Sequence, residues 1–141
     1  MKDKIITIDQ VADMITDGMT IMVGGFMANG TPEIIMDALV DKNVKDLTII
    51  CNDGGFGIIP GKDGAPDVPE RGVAKLIANH QVKKLIATHI GLNKEVANQM
   101  NSGDLEVELV PQGTLAEKIR AGGAGLGGVL TPTGYGTEVA E

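Results

Sequence analysis

Residues 20–33 read TIMVGGFMANGTPE, an apolar run that passes through a glycine-rich segment into the start of a helix. The first four of these residues are apolar or β-branched and predict a buried strand. The end of the stretch predicts a helix, because Thr31 suits the N-cap, Pro32 the first helical position and Glu33 the first turn. Residues 24–30, called the glycine loop below, therefore connect a strand to a helix.

The same alternation of strand and helix continues along the chain. A first helix is predicted near Thr7, which has capping-box spacing to Gln10. Further strands are predicted at residues 47–50, 84–87 and 105–110, further helices at residues 73–77, 93–101 and 115–120, and a surface loop at residues 59–72. Strands that alternate with helices form parallel sheets. We therefore predict one α/β domain over residues 1–141, with an open, mainly parallel sheet and flanking helices.

Composition narrows the classes of function. The formal net charge is -7 and only 2% of residues are aromatic, which argues against a nucleic-acid surface, since such surfaces need clustered cations and stacking rings. No apolar run approaches the roughly 20 residues of a membrane span. Cys51 is the only cysteine and is compatible with a reducing compartment. His80 and His89 are too isolated to predict a metal site. We expect a soluble, cytoplasmic protein without a metal.

The ends of the predicted strands are where a ligand would bind in an open parallel sheet. The glycine loop follows the first strand and places bare backbone amides ahead of a helix, which favours an anion or a carbonyl oxygen. A tight structural turn explains the same glycines equally well. Seven residues make up this candidate binding segment: Gly24, Gly25, Phe26, Met27, Ala28, Asn29 and Gly30.

Two neutral amide side chains stand at other strand ends, Asn52 after the second strand and Gln112 after the last. A primary amide can donate to a developing oxyanion, and one well-placed donor lowers a barrier by about 3 kcal/mol. A loop amide that only bonds the local backbone is the commoner case. Both residues are candidates for catalysis, with Gln112 expected in the segment that leads into the last helix.

Four segments resemble family I coenzyme A transferases. The longest, DGMTIMVGGFMANGTP at residues 17–32, resembles the first signature of that family. The others are residues 88–91, 106–115 and 119–137, so that the resemblance covers nearly the whole chain. The similarity is to alpha subunits of acetate/butyrate-acetoacetate CoA-transferases and to the N-terminal half of succinyl-CoA:3-oxoacid CoA-transferases.

This resemblance implies that the chain is one half of an enzyme that moves CoA between an acyl-CoA and a short-chain carboxylic or 3-oxo acid. A beta subunit would supply the catalytic glutamate in a ping-pong mechanism. Asn52 would orient that glutamate, Gln112 would stabilise the oxyanion, and the glycine loop would bind CoA, which is a substrate and not a tightly held cofactor. The chain alone would be inactive and would work in a hetero-oligomer.

The resemblance also implies an incomplete domain, because members of the family continue beyond the position of Glu141. A sheet that lacks its last strands has an exposed edge.

Two other functions fit a fold of this class. A sugar-phosphate isomerase would need its own acid and base, and the carboxylates near a candidate site are Asp53, Glu33, Glu138 and Glu141, none of which forms a persuasive pair. A non-catalytic module that binds an effector or supports assembly would need no such pair.

Overall fold

The computed structural model describes residues 4–138. These residues form five helices and four strands in an alternating order. In chain order they are α1 (Ile8–Met14), β1 (Thr20–Met22), α2 (Glu33–Lys42), β2 (Leu47–Ile50), α3 (Ala74–Ala78), β3 (Val82–Ala87), α4 (Lys94–Ser102), β4 (Glu106–Leu109) and α5 (Gln112–Gly123).

The four strands form one parallel sheet in the order β1-β2-β3-β4. Each strand pairs with the next in sequence, so every crossover moves in the same direction across the sheet. Because parallel crossovers are right-handed, α2, α3 and α4 lie side by side on one face. Contacts run accordingly from α1 to α2, from α2 to α3 and from α3 to α4. The predicted open α/β architecture is confirmed.

The two faces of the sheet carry different side chains. The strand register aligns one row that packs in the main core with α2, α3 and α4, and this side is called the core face: Ile21, Ile49, Leu85 and Val107. The next row points the opposite way, and this side is called the α5 face: Met22, Ile50, Ile86 and Glu108. Leu115 and Ile119 of α5 line a cleft together with this second row. The last helix therefore covers the face that the other crossover helices leave free.

Two helix starts differ from the predictions. The N-cap of α2 is Pro32 and not Thr31, whose hydroxyl instead donates to the main-chain oxygen of Gly24 at 3.1 Å. Helix α5 begins at Gln112, directly after Pro111, and not near residue 115. In the first case a carbonyl of the glycine loop takes the hydroxyl that would have capped the helix. In the second case, Pro111 directly precedes the helix, where the fixed φ of proline is tolerated and its missing N–H is not needed for a helical hydrogen bond.

The predicted surface loop at residues 59–72 belongs to a paired excursion between β2 and α3. Phe56 and Arg71 exchange two main-chain hydrogen bonds, at 3.1 and 2.8 Å, and Ile59 and Val68 exchange two more at 3.0 and 2.9 Å. These bonds hold the two sides of the excursion together as a short irregular ribbon. None of the helices formed by the described residues is long and apolar enough to cross a membrane.

Candidate functional site

The two candidate amide side chains meet at the carboxyl end of the sheet. Asn52 follows β2, and its Nδ2 donates a hydrogen bond of 2.9 Å to Oε1 of Gln112, which is sixty residues later in the chain. The structure thus brings together the two residues that the sequence places at separate strand ends.

Helix α5 makes this contact possible. Strands β2 and β4 are two positions apart in the sheet, or roughly 9 to 10 Å, since neighbouring strands are spaced about 4.8 Å. Pro111, at φ -53° and ψ 137°, turns the chain after β4, and α5 then runs over the α5 face. Asn52 lies two residues after Ile50 and so continues the alternation on that same face. A helix that crosses the sheet therefore spans the gap that the strands leave.

The pair keeps unused hydrogen-bonding capacity. Because Oε1 of Gln112 accepts from Asn52, its Nε2 is left with two N–H donors, and neither has an acceptor among the described residues. Oδ1 of Asn52 is buried and accepts from no described group. The Asn52 main chain is fixed separately, since its carbonyl oxygen accepts from the amide and the hydroxyl of Thr88 at 2.9 and 2.8 Å. The hydrogen bond between the two side chains thus fixes the amide of Gln112 and leaves its two N–H groups free to donate.

The glycine loop turns sharply beside this pair. Phe26 and Asn29 exchange two main-chain hydrogen bonds at 3.0 and 2.9 Å. The two residues between them, Met27 and Ala28, have φ of 50° and 62°, as in a type I′ turn, although neither is glycine. The loop therefore holds two ordinary residues in the left-handed region, which is sparsely populated for such side chains.

Gly25 is required by the packing of the same loop. Its φ is 117°, and a Cβ there would lie 3.0 Å from the amide nitrogen of Thr31 and closer still to the Thr31 hydroxyl. Only a residue without a side chain allows the loop to pass this close to the start of α2. Gly24 differs, because a Cβ there would meet nothing within 4 Å.

A cleft of about 320 Å³ joins the loop to the amide pair. Gly24, Gly25, Asn52 and Gln112 line it together with apolar side chains of β1, β2 and α5. The main-chain N–H groups of Gly24 and Gly25 donate to no acceptor in the described part of the chain. Backbone and amide donors that converge on one space suit a carbonyl oxygen that becomes negatively charged.

The cleft contains no reactive group of its own among the described residues. No charged side chain lines it, and Cys51, which does, is buried. Burial first, and the charge of Asp53 second, raise the pKa of the Cys51 thiol from 9.0 to about 12, so that the thiol is neutral at physiological pH. Its Sγ donates to the main-chain oxygen of Asp53 at 2.9 Å. The arrangement can stabilise a developing charge but supplies neither a nucleophile nor a proton acceptor.

The carboxylates considered for an isomerase do not enter this cleft. Glu33 binds the Gly72 amide at 2.9 Å and Lys75 at 2.8 Å. Asp53 bonds to backbone amides, and Glu138 is exposed. Glu141 lies outside the described residues. In the described range 4–138, no group of three His, Cys, Asp or Glu side chains could hold a metal ion.

Sequence reasoning missed the structural part played by Asp53. Its carboxylate is buried and accepts the amide of Met27 in the glycine loop, 26 positions earlier in the chain. It also accepts the amide of Gly55 at 2.8 Å. An Asp two residues before a glycine at a strand end is typical of an Asx turn, which signals the bond to Gly55. No local pattern signals the bond to Met27.

Comparisons with known proteins give one consistent family. The family model described as Coenzyme A transferase matches residues 5–141. The chain is 50% identical over 141 residues to the alpha subunit of the acetate CoA-transferase of Escherichia coli, covering 100% of this chain and 59% of that protein. It is 51% identical over 137 residues to the alpha subunit of the acetoacetyl-CoA:acetate/butyrate CoA transferase of Clostridium acetobutylicum, covering 97% and 57%.

A third relative is one of the subunits of a probable succinyl-CoA:3-ketoacid coenzyme A transferase of Bacillus subtilis, 48% identical over 132 residues, with 94% of this chain and 50% of that protein covered. The chain thus spans between half and three-fifths of the length of these curated relatives. A crystal structure of a variant of the decarboxylase AibA/AibB matches with a TM-score of 0.63 at 19% identity, covering 86% of this chain and 44% of that one. That last likeness concerns the fold alone.

Proposed function

Because the chain belongs to the coenzyme A transferase family, we propose that it is the alpha-subunit part of an enzyme that moves CoA between an acyl-CoA and a short-chain carboxylic or 3-oxo acid. The single observation that carries the proposal is the Asn52–Gln112 hydrogen bond of 2.9 Å, which leaves donors free on two residues that line a cleft without a charged side chain. Such a site can stabilise an oxyanion, and because none of the described residues that line it is a charged or exposed nucleophile, the nucleophile in this proposal belongs to a partner.

The proposed mechanism is ping-pong. A glutamate that belongs to the beta subunit attacks the thioester carbonyl of the acyl-CoA. The CoA thiolate departs, and the acyl group remains on the glutamate as a mixed anhydride. The thiolate then attacks the glutamyl carbonyl, the first carboxylate departs, and a glutamyl-CoA thioester remains. The incoming carboxylic acid runs the same steps in reverse.

Each of these steps passes through a tetrahedral intermediate with a negatively charged oxygen. Nε2 of Gln112 is proposed to donate to that oxygen, since its hydrogens have no other acceptor in the described chain. Asn52 Nδ2 uses one hydrogen on Gln112 and has a second, which is proposed to orient the partner's glutamate. The glycine loop is proposed to contact the CoA portion of the substrate, with the amides of Gly24 and Gly25 at the cleft.

The partner in this proposal is a beta subunit, and the working unit is a hetero-oligomer of alpha and beta subunits. The names of the relatives, which include acetate, butyrate, acetoacetyl-CoA and succinyl-CoA:3-ketoacid transferases, support a short-chain acid as the acceptor. CoA takes part as a substrate and not as a bound cofactor. The free buried thiol of Cys51 fits a reducing compartment such as the cytoplasm.

Intact-mass spectrometry tests the proposal. The chain is incubated with acetoacetyl-CoA alone, with its candidate beta subunit, and with a beta subunit whose catalytic glutamate is replaced by alanine. We expect the mass of CoA on the beta subunit in the second sample only and, once acetate is added as the acceptor acid, turnover in that sample only. A CoA adduct on this chain, or turnover by this chain alone, would refute the half-site mechanism.

A sugar-phosphate isomerase would require an acid and a base at the cleft, and none of the described carboxylates or histidines lines it. If no sample in the mass experiment gains CoA or turns over, the interpretation of the chain as a non-catalytic module is favoured instead.

A further inference from the structure

Asp53 is a buried carboxylate without a cationic partner among the described residues. Only 5% of its surface is exposed. Both of its oxygens instead accept main-chain amides at 2.8 Å, Oδ2 from Met27 and Oδ1 from Gly55. Burying a charged carboxylate is costly unless each oxygen gains good hydrogen bonds. The position of this carboxylate therefore depends on the two segments whose amides it binds.

One of those segments is the strained part of the glycine loop. Met27 is the first of the two residues with positive φ, at 50°, and Ala28 follows at 62°. Such residues stay in the left-handed region only when their surroundings hold them there. Asp53 binds the Met27 amide from one side. From the other side, Ala28 is buried against Gly72, where an added Cβ would lie 3.2 Å from the Ala28 Cβ.

Asp53 and Asn52 are neighbours that point to opposite faces of the sheet. Asn52 continues the alternation of Ile50 on the α5 face and binds Gln112. Asp53 continues the alternation of Cys51 on the core face and binds the glycine loop. The two residues after Cys51 at the end of β2 are thereby bonded to Gln112 on one face and to the glycine loop on the other.

We propose that Asp53 is a positioning residue for acyl-CoA: its bond to the Met27 amide fixes the glycine loop so that the amides of Gly24 and Gly25 face the Asn52–Gln112 pair. The proposal rests on the function proposed above only in naming acyl-CoA as the ligand. Asp53 itself touches no reacting atom and acts through the loop.

Asp53→Asn tests this idea with a minimal change. An asparagine has one oxygen and one NH₂ group, so one of the two amides would face a donor and lose its bond. Asp17→Asn is the matched control, because Oδ1 of Asp17 also accepts a main-chain amide at 2.8 Å, from Lys45. This bond is exposed, and it joins the segment before β1 to the segment before β2. Both variants remove one carboxylate and keep the side-chain shape.

Hydrogen exchange is measured first, on this chain by itself. In Asp53→Asn we expect the hydrogen-bonded amides of the glycine loop, those of Phe26, Met27 and Asn29, to exchange about tenfold faster, as loss of one charge-assisted hydrogen bond predicts, while β3 and the Asp17→Asn chain are unchanged. In the parent chain the Met27 amide should exchange at least about tenfold slower than that of Gly25, which has no described acceptor. That second comparison needs no variant to fold.

Kinetics are then measured on the assembled alpha and beta subunits. For Asp53→Asn we expect KM for acyl-CoA to rise about tenfold while KM for the free acid changes less than about twofold. Unchanged exchange in the glycine loop, or a Met27 amide that exchanges as fast as that of Gly25, overturns the proposal. Faster exchange with equal effects on both KM values overturns the acyl-CoA role. A parent complex without transferase activity refutes the proposed function, whereas the exchange data still decide whether Asp53 holds the loop.

Discussion

Replacing Gln112 by glutamate separates its proposed catalytic donor from its structural contact. Glutamate keeps an oxygen where Oε1 accepts the 2.9 Å hydrogen bond from Asn52. It replaces Nε2 and its two hydrogens by a second oxygen, which cannot donate. The change therefore preserves the contact between the two side chains and removes the two hydrogens that have no acceptor in the described chain.

The expected magnitudes differ for activity and for stability. Loss of one oxyanion donor lowers kcat by about a hundredfold to a thousandfold, and the added negative charge deepens the loss. Gln112 is the first residue of α5 and is exposed. A carboxylate at a helix N-terminus is favourable by about 0.3 to 1 kcal/mol, so the free energy of unfolding should stay the same or rise slightly.

The assay follows acetoacetyl-CoA turnover by the assembled subunits, with thermal unfolding of the variant chain measured alongside. Gln10→Glu is the matched control, because Gln10 only closes the capping box of α1 with Thr7, a role that glutamate fills equally well. A Gln112→Glu enzyme that turns over within about threefold of the parent would show that no donor from Gln112 reaches the transition state. A large loss of stability in Gln112→Glu would show that the side chain is structural.

Two further predictions concern the loop and the buried thiol. Gly25→Ala should lower the free energy of unfolding by about 1 to 3 kcal/mol, because a φ of 117° is strained for alanine and the added Cβ would overlap Thr31. Gly24→Ala should unfold like the parent, and equal melting temperatures for both variants would contradict this prediction. The pKa of Cys51 is raised from 9.0 to about 12, so above pH 9 the unfolded thiol ionises while the folded one stays protonated, and stability should fall between pH 9 and 12. Comparison with Cys51→Ala isolates the effect, and parallel pH curves for the two chains would rule it out.

Local patterns were enough to predict most of the elements. Strand β2 lies at residues 47–50 as predicted, and Asn93 caps α4 by accepting from the Glu95 amide at 3.1 Å. The capping box of Thr7 and Gln10 is formed with both of its hydrogen bonds. These features depend on residues that are close in sequence, so propensity and spacing determine them. The start of α2 escaped prediction because the Gly24 oxygen, seven residues away, binds the Thr31 hydroxyl.

The sequence by itself determined that strands and helices alternate and that Asn52, Gln112 and the glycine loop stand at strand ends. Only the tertiary structure decided that α5 lies on the face opposite α2, α3 and α4, which brings Gln112 to Asn52. It also decided that the Asp53 carboxylate binds the Met27 amide. The physical reason is that a hydrogen bond between distant residues depends on strand order and on the handedness of the crossovers, and no spacing along the chain encodes these directly.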